Sequence, residues 1–148
     1  MATNSSIKLL NNPNLLTECW VIAPKSSEAI AQGDLIEENG NGAEVVDGAD
    51  NTIFCGVAME GRESDDPRPL TVAFRCVIKG KMAASQDVTK GKAVAYAAGG
   101  NGTEWTFNAA TAEGIGWALE TIAGGSEGRI LIDVLALQAA TLFQTVTT

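Results

Sequence analysis

Leu70-Thr71-Val72-Ala73-Phe74-Arg75-Cys76-Val77-Ile78-Lys79 decides the reading of the fold. Leu70, Val72, Phe74, Cys76 and Ile78 recur at every second position, and Thr71, Ala73, Arg75, Val77 and Lys79 fall between them. A period of two places the first set on one face of a β-strand, whereas a helix would scatter it. Outward from this strand the same alternation returns in Ile53, Cys55, Val57 and Met59, in Ile115, Trp117 and Leu119, and in Ile130, Ile132 and Val134. Shorter strands are predicted at Glu18–Ala23, Leu35–Glu37, Ala43–Val46, Ala93–Ala97 and Glu104–Phe107. Between them lie turn formers: Asn39-Gly40-Asn41-Gly42, Asp47-Gly48, Gly99-Gly100-Asn101-Gly102 and Gly124-Gly125. No segment keeps a helical period. Gln138–Val146 suits one short helical turn or an extended tail.

An internal repeat organises these strands. Gln32-Gly33-Asp34-Leu35-Ile36 corresponds to Lys90-Gly91-Lys92-Ala93-Val94, a spacing of 58 residues. Asn41-Gly42-Ala43-Glu44-Val45 corresponds to Asn101-Gly102-Thr103-Glu104-Trp105, and Cys55-Gly56-Val57-Ala58-Met59-Glu60 to Ile115-Gly116-Trp117-Ala118-Leu119-Glu120, both at 60. A long strand closes each half, Leu70–Val77 and Gly128–Leu135. The predicted fold is therefore all-β: a small β-barrel or β-sandwich built from two similar β units, with half-units at about 28–80 and 87–136. Closure would also remove strand edges that invite aggregation. Gly33, Gly56, Gly91 and Gly116 are read as structural glycines, where a bulge forms or another backbone comes close.

Residues 1–17 read differently. They are rich in Asn, Ser and Thr, carry Ile7, Leu9, Leu10, Leu15 and Leu16 without a period, and are interrupted by Pro13. They are expected to form an extended N-terminal arm that docks either on its own domain or on a partner. A single domain at 18–136 and a C-terminal tail at 137–148 complete the layout. At 148 residues the chain suits one domain and buries enough surface to fold without metal or disulfide.

Composition excludes whole classes of chemistry. Histidine is absent, which removes Ser-His-Asp and Cys-His catalysis, HExxH sites and histidine pH switches. With 10 Lys+Arg against 18 Asp+Glu the net charge is −8, so phosphate backbones and anionic lipid repel the chain, and neither nucleic acid nor membrane is expected as a partner. Such a charge favours solubility. No apolar run reaches the length of a membrane span and no leader pattern opens the chain, so a cytoplasmic product is expected. Cys55 and Cys76 sit in apolar strands as small buried hydrophobes, Cys19 has no basic neighbour, and all three are read as reduced thiols.

Motif by motif, chemistry is scarce. There is no phosphate-binding loop, no CxxC and no calcium loop, and no cofactor or metal is called for. Asp65-Asp66 beside Pro67 and Pro69 reads as a solvated turn. Glu60 and Glu120 end equivalent strands, and acid–base work would require them to converge in a cleft. Lys79-Gly80-Lys81-Met82 invites comparison with lysine-bearing carrier hairpins but lacks their turn context. Eleven of the eighteen acids fall between Glu28 and Asp66, where Arg62 is the one base, giving solvated turns or a surface for a basic partner. The chain is not expected to be an enzyme.

The order Gly33-Asp34-Leu35-Ile36, Cys55-Gly56-Val57-Ala58, Val72–Val77, Gly91–Val94, Ile115-Gly116-Trp117-Ala118 and Arg129–Val134 resembles the small capsid decoration proteins of tailed bacteriophages, also called cement or capsid-stabilising proteins. The resemblance spans roughly residues 18–136. It implies a β-rich structural protein on the outer capsid surface of the virion, made in the host cytoplasm and bound to the major capsid protein. It also implies self-association, as a trimer in preference to a dimer. By position, the arm residues Ile7, Leu9, Leu10, Leu15 and Leu16 would meet the capsid. The alternative is a fibre- or baseplate-type β-module that binds carbohydrate or protein.

Overall fold

The structure, a computed structural model, describes residues 5–9, 18–48, 53–110 and 114–134. The described residues form ten strands and no helical element: β1 (Lys8–Leu9), β2 (Glu18–Ile22), β3 (Leu35–Glu38), β4 (Ala43–Val45), β5 (Ile53–Ala58), β6 (Leu70–Met82), β7 (Ala93–Gly100), β8 (Thr103–Ala109), β9 (Gly116–Ala118) and β10 (Glu127–Asp133). These strands include a closed five-stranded barrel with further strands outside it. The ring runs β6, β8, β7, β9, β10 and back to β6. Its one parallel link joins Lys81 to Thr106 and Met82 to Phe107.

The strands outside that ring repeat it. β5 lies on β6, β3 on β5 and β4 on β3, while β2 lies on β6. A parallel bridge between Pro24 and Ala43 then joins the β2 end to β4, with Lys25 N–H donating to the Ala43 carbonyl at 2.9 Å. This bridge is the counterpart of Met82 with Phe107. The backbone bonds match pair by pair. Ile30 and Arg62 exchange hydrogen bonds as Val88 and Ile122 do; Gly33 N–H donates to Ala58 as Gly91 does to Ala118; Met59 N–H donates to Thr71 as Leu119 does to Arg129. These backbone matches are displaced by 58 to 60 residues, the spacing of the sequence repeat, whereas β4 corresponds to the end of β8 at a displacement of 64 because the β7–β8 hairpin is longer.

The division between the units differs from the one expected. The pairing Ile22 with Leu70 recurs as Gly80 with Gly128, so β2 corresponds to the second half of β6. The first unit therefore begins at β2, not near residue 28, and its last strand runs unbroken into the first strand of the second unit. We refer to residues 18–75 and 76–133 as the first and second units. The 13-residue β6 carries both. Its inward residues Leu70, Val72, Cys76, Ile78 and Met82 are buried, and each large apolar side chain so placed contributes roughly 1.5–3 kcal/mol.

One strand faces the other way from its hydropathy. In β9 the buried residues are Gly116 and Ala118, while Ile115, Trp117 and Leu119 are half-buried. The reason is room: a side chain at Gly116 would run into the Leu131 carbonyl, so only the small residues fit against β10. The segment Gln138–Val146 lies outside the described residues.

Candidate functional site: the seam between the units

On one edge of β6 the strands β2 and β10 meet end to end, and Arg75 spans the junction. Its Nη1 donates to Glu18 Oε1 at 3.0 Å and its Nε to Asp133 Oδ2 at 3.2 Å. One guanidinium thereby ties the first strand of one unit to the last strand of the other, half-exposed and so worth only modest stability.

The opposite edge is filled by the arm. β1 pairs with β6 between the positions taken by β5 and β8, Lys8 opposite Lys79 and Leu9 opposite Ile78. Ile7 is buried in the chain's own core. Ser6 Oγ accepts from the Trp105 N–H at 2.9 Å, and a side chain at Gly33 would strike the Ile7 carbonyl. Behind the arm the units touch directly: Trp105 Nε1 donates to Asp34 Oδ1 at 3.1 Å, while Asp34 Oδ2 accepts from Ala31 N–H at 2.8 Å. Both residues are buried.

Burial pushes the Asp34 carboxyl above its ordinary value of 3.8, against the opposing pull of the Ala31 and Trp105 hydrogen bonds. Folding thus shifts the Asp34 equilibrium toward the protonated form relative to the unfolded chain. The contribution of Asp34 to stability is complete below the unfolded carboxyl pKa and declines as pH rises through the raised folded value. Urea unfolding of wild type and Asp34→Asn between about pH 3 and about pH 7 is expected to show wild type losing ground to the variant as pH rises. A difference that is flat, or grows with pH, would show that burial does not control this group.

The residues singled out in the sequence take the following places. Gly33 and Gly91 occupy equivalent turns at φ +91° and +84°, and Gly56 and Gly116 equivalent strand positions where a neighbouring carbonyl crowds the Cα. Ile7 packs inward, so it is not a surface for a partner. Leu9 is placed by its backbone alone, and Leu10, Leu15 and Leu16 lie outside the described residues. Lys79 and Lys81 stand within β6, not in a turn, and pair with Glu127 at 3.4 Å and Glu104 at 3.1 Å. Glu60 and Glu120 serve equivalent backbone positions, accepting from Thr71 N–H and Arg129 N–H. Asp66 binds Arg68, whose guanidinium holds its carboxyl well below the usual range.

Burial pushes the Cys55 thiol up to about 11 and the Cys76 thiol to about 12, so both remain neutral at ordinary pH. Cys19 is exposed, yet partial desolvation also raises its pKa. Several acids expected in solvated turns are instead internal: Asp34, Glu37 and Glu44 are buried. Glu37, Glu44 and Asp47 bring carboxylate oxygens within 4.8 Å of one another. The oxygens of Glu44 and Glu37 already have donors: Lys25 Nζ at 2.7 Å and Asn39 Nδ2 at 2.8 Å on Glu44, and Asp47 N–H at 3.3 Å on Glu37.

The two units are unequal outside their shared frame. The first unit holds twelve acids and four bases, the second six acids and five bases. Trp20 Nε1 and Arg62 Nε and Nη1 are buried without a hydrogen-bond partner, and all belong to the first unit, at positions where the second has Ile78 and Ile122. Among the described residues Val21 on β2 is the most exposed of the large hydrophobic residues, at 65%, followed by Ile53 at 58%. No aromatic side chain among the described residues is fully exposed. No helix among them is long and apolar enough to cross a membrane. No known family model matches the chain, and no curated protein is similar to it.

Proposed function

We propose that this protein decorates a tailed-phage capsid, binding the major capsid protein on the outer surface of the mature lattice and stabilising it, without catalysing a reaction. The observation that supports this most is the order of the glycine-marked strands. The blocks that carry the resemblance, from Gly33–Ile36 through Arg129–Val134, are the walls of the two joined units and not scattered loops. A closed, doubled body with little exposed edge and a net charge of −8 suits a protein that must stay soluble until it meets a lattice. Self-association, as a trimer in preference to a dimer, would make later contacts intramolecular and raise avidity by on the order of 10²–10⁴. Binding only the expanded lattice would stabilise that state by mass action.

With Ile7 committed to the core, the arm contact in this reading rests on Leu9, Leu10, Leu15 and Leu16. Purified protein is expected to co-sediment with expanded capsids that lack it and to raise their disruption temperature. No co-sedimentation at micromolar protein would remove the proposal. Leu9→Ser, Leu10→Ser, Leu15→Ser and Leu16→Ser together test the arm separately: undiminished binding by that variant leaves the capsid role standing and discards the arm contact. The alternative glycan-binding module needs exposed aromatic rings, and no observation favours it.

A further inference from the structure

The doubled architecture places the same strand edge in two environments. In the second unit Arg129 turns its peptide groups toward β9, its carbonyl accepting from Leu119 N–H, so Lys79 opposite it on β6 presents its own N–H and C=O to the other side. That side is covered by β1, with Lys8 opposite Lys79. In the first unit Thr71 turns toward β5 in the same manner, its carbonyl accepting from Met59 N–H. Val21 opposite it therefore presents its N–H and C=O away from β6. The next outward-facing groups, Ala23 C=O and Lys25 N–H, are taken by Ala43. Among the described residues nothing takes those of Val21, and its side chain is 65% exposed.

We propose that the edge of β2 at Val21 is a docking site for an extended, lysine- or arginine-bearing strand of a partner protein, added antiparallel to β2 as β1 is added to β6. The second unit shows which strand this edge accepts: Ser5-Ser6-Ile7-Lys8-Leu9, a cation between two aliphatic residues. Charge selects the same chemistry. Lys8 in its own site faces Lys79 and, one strand further, Arg129, cations already paired with Glu127 and Glu120. The corresponding row in the first unit is Val21 and Thr71, with Glu60 beyond them, in the half of the molecule that carries twelve of the acids. A cation at that register meets no like charge on β2 or β6 and an acid beyond them, whereas Lys8 stands directly opposite another lysine. The occupant is not a second copy's arm, because Ile7, Ser6 and the Gly33 contact hold that arm in its own seam. This inference does not depend on what larger body the protein joins.

The probe is the capped peptide Ser-Ser-Ile-Lys-Leu, titrated into the full chain and followed by backbone amide resonances. Shifts centred on Trp20–Ile22 are expected, with exchange of the Val21 amide slowed at saturation. Replacing the peptide lysine by glutamate is expected to weaken binding by about tenfold or more, and raising the salt concentration to weaken it as well. Val21→Pro deletes the outward N–H at an edge position that tolerates proline, so the β6 pairing survives while peptide binding is lost. Amide exchange at Val21 in the unmodified protein gives the same answer if that variant folds poorly. Absence of shifts at β2, or shifts confined to Ile78 and Lys79 because the peptide merely displaces β1, would overturn the proposal.

Discussion

Gly56→Ala is expected to lower the unfolding free energy by roughly 3–5 kcal/mol, the sum of two independent costs. Gly56 sits at φ +131°, a conformation that an L side chain rarely adopts, inside the β3–β5–β6 wall. A methyl group there would also collide with the Ala73 carbonyl of the neighbouring strand, which is backbone and cannot swing aside. Two companions separate the costs. Gly116→Ala meets the Leu131 carbonyl without a positive φ, and is expected to cost roughly 1–3 kcal/mol through overpacking alone. Gly91→Ala has φ +84° and open space around it, so it reports backbone strain alone, about 1 kcal/mol. Urea or thermal unfolding measures all three. Gly56→Ala within about 1 kcal/mol of wild type would mean that the β5–β6 approach is looser than described, and would undercut the equivalence of Gly56 with Gly116.

Trp105→Ala is expected to cost roughly 3–5 kcal/mol, as for other large-to-small substitutions of buried aromatic residues. Trp105 is 1% exposed, packs edge-on against Tyr96 with centroids 5.8 Å apart, and lies against Gly100, so its loss empties the space between the units. It also strips Asp34 of one donor. Trp105→Phe isolates that second effect, retaining most of the ring volume and deleting Nε1–H; leaving a buried carboxylate oxygen without its donor costs about 1–3 kcal/mol. Both variants keep the backbone bond from Trp105 N–H to Ser6. Release of the arm, read as faster amide exchange at Lys8 and Leu9, is expected for the alanine variant because the packing behind the arm is gone. Equal stability of the two variants would show that ring volume at this position contributes nothing, contrary to the burial of Trp105.

The sequence discloses the walls of this fold more readily than its joints. Alternation from Leu70 to Ile78 announces β6, and the blocks at Gly33/Gly91 and Gly56/Gly116 announce the repeat, because hydropathy period and glycine placement are local properties of the chain. The boundary between units escapes for the same reason: 13 residues of unbroken alternation contain no mark where one unit ends and the next begins. β9 misleads because glycine and alanine carry little hydropathy signal, so Gly116 and Ala118 are outvoted by Ile115 and Trp117 although the wall has room only for the small pair. Asp34, beside a turn glycine, looks like a solvated acid, and the indole that satisfies it lies 71 residues away. The aliphatic residues of the arm show that it docks; that Ile7 docks at home depends on the gap between β5 and β8 along β6, which exists only after both units close. The open edge at Val21 is visible only by comparing one unit with the other in three dimensions.

That β6 belongs to both units has a consequence for how the molecule lives and dies. Two beads on a string can be cut apart and each survive; two rooms with a party wall cannot. Severing the chain between Arg75 and Cys76 would leave each ring its own half of β6 but would break the strand that runs through both, divide Arg75 from Asp133 and part the arm from its groove. Melting is therefore expected to be a single event shared by both halves, and any ancestor that doubled a gene to build this chain had to merge the copies, not merely append one to the other.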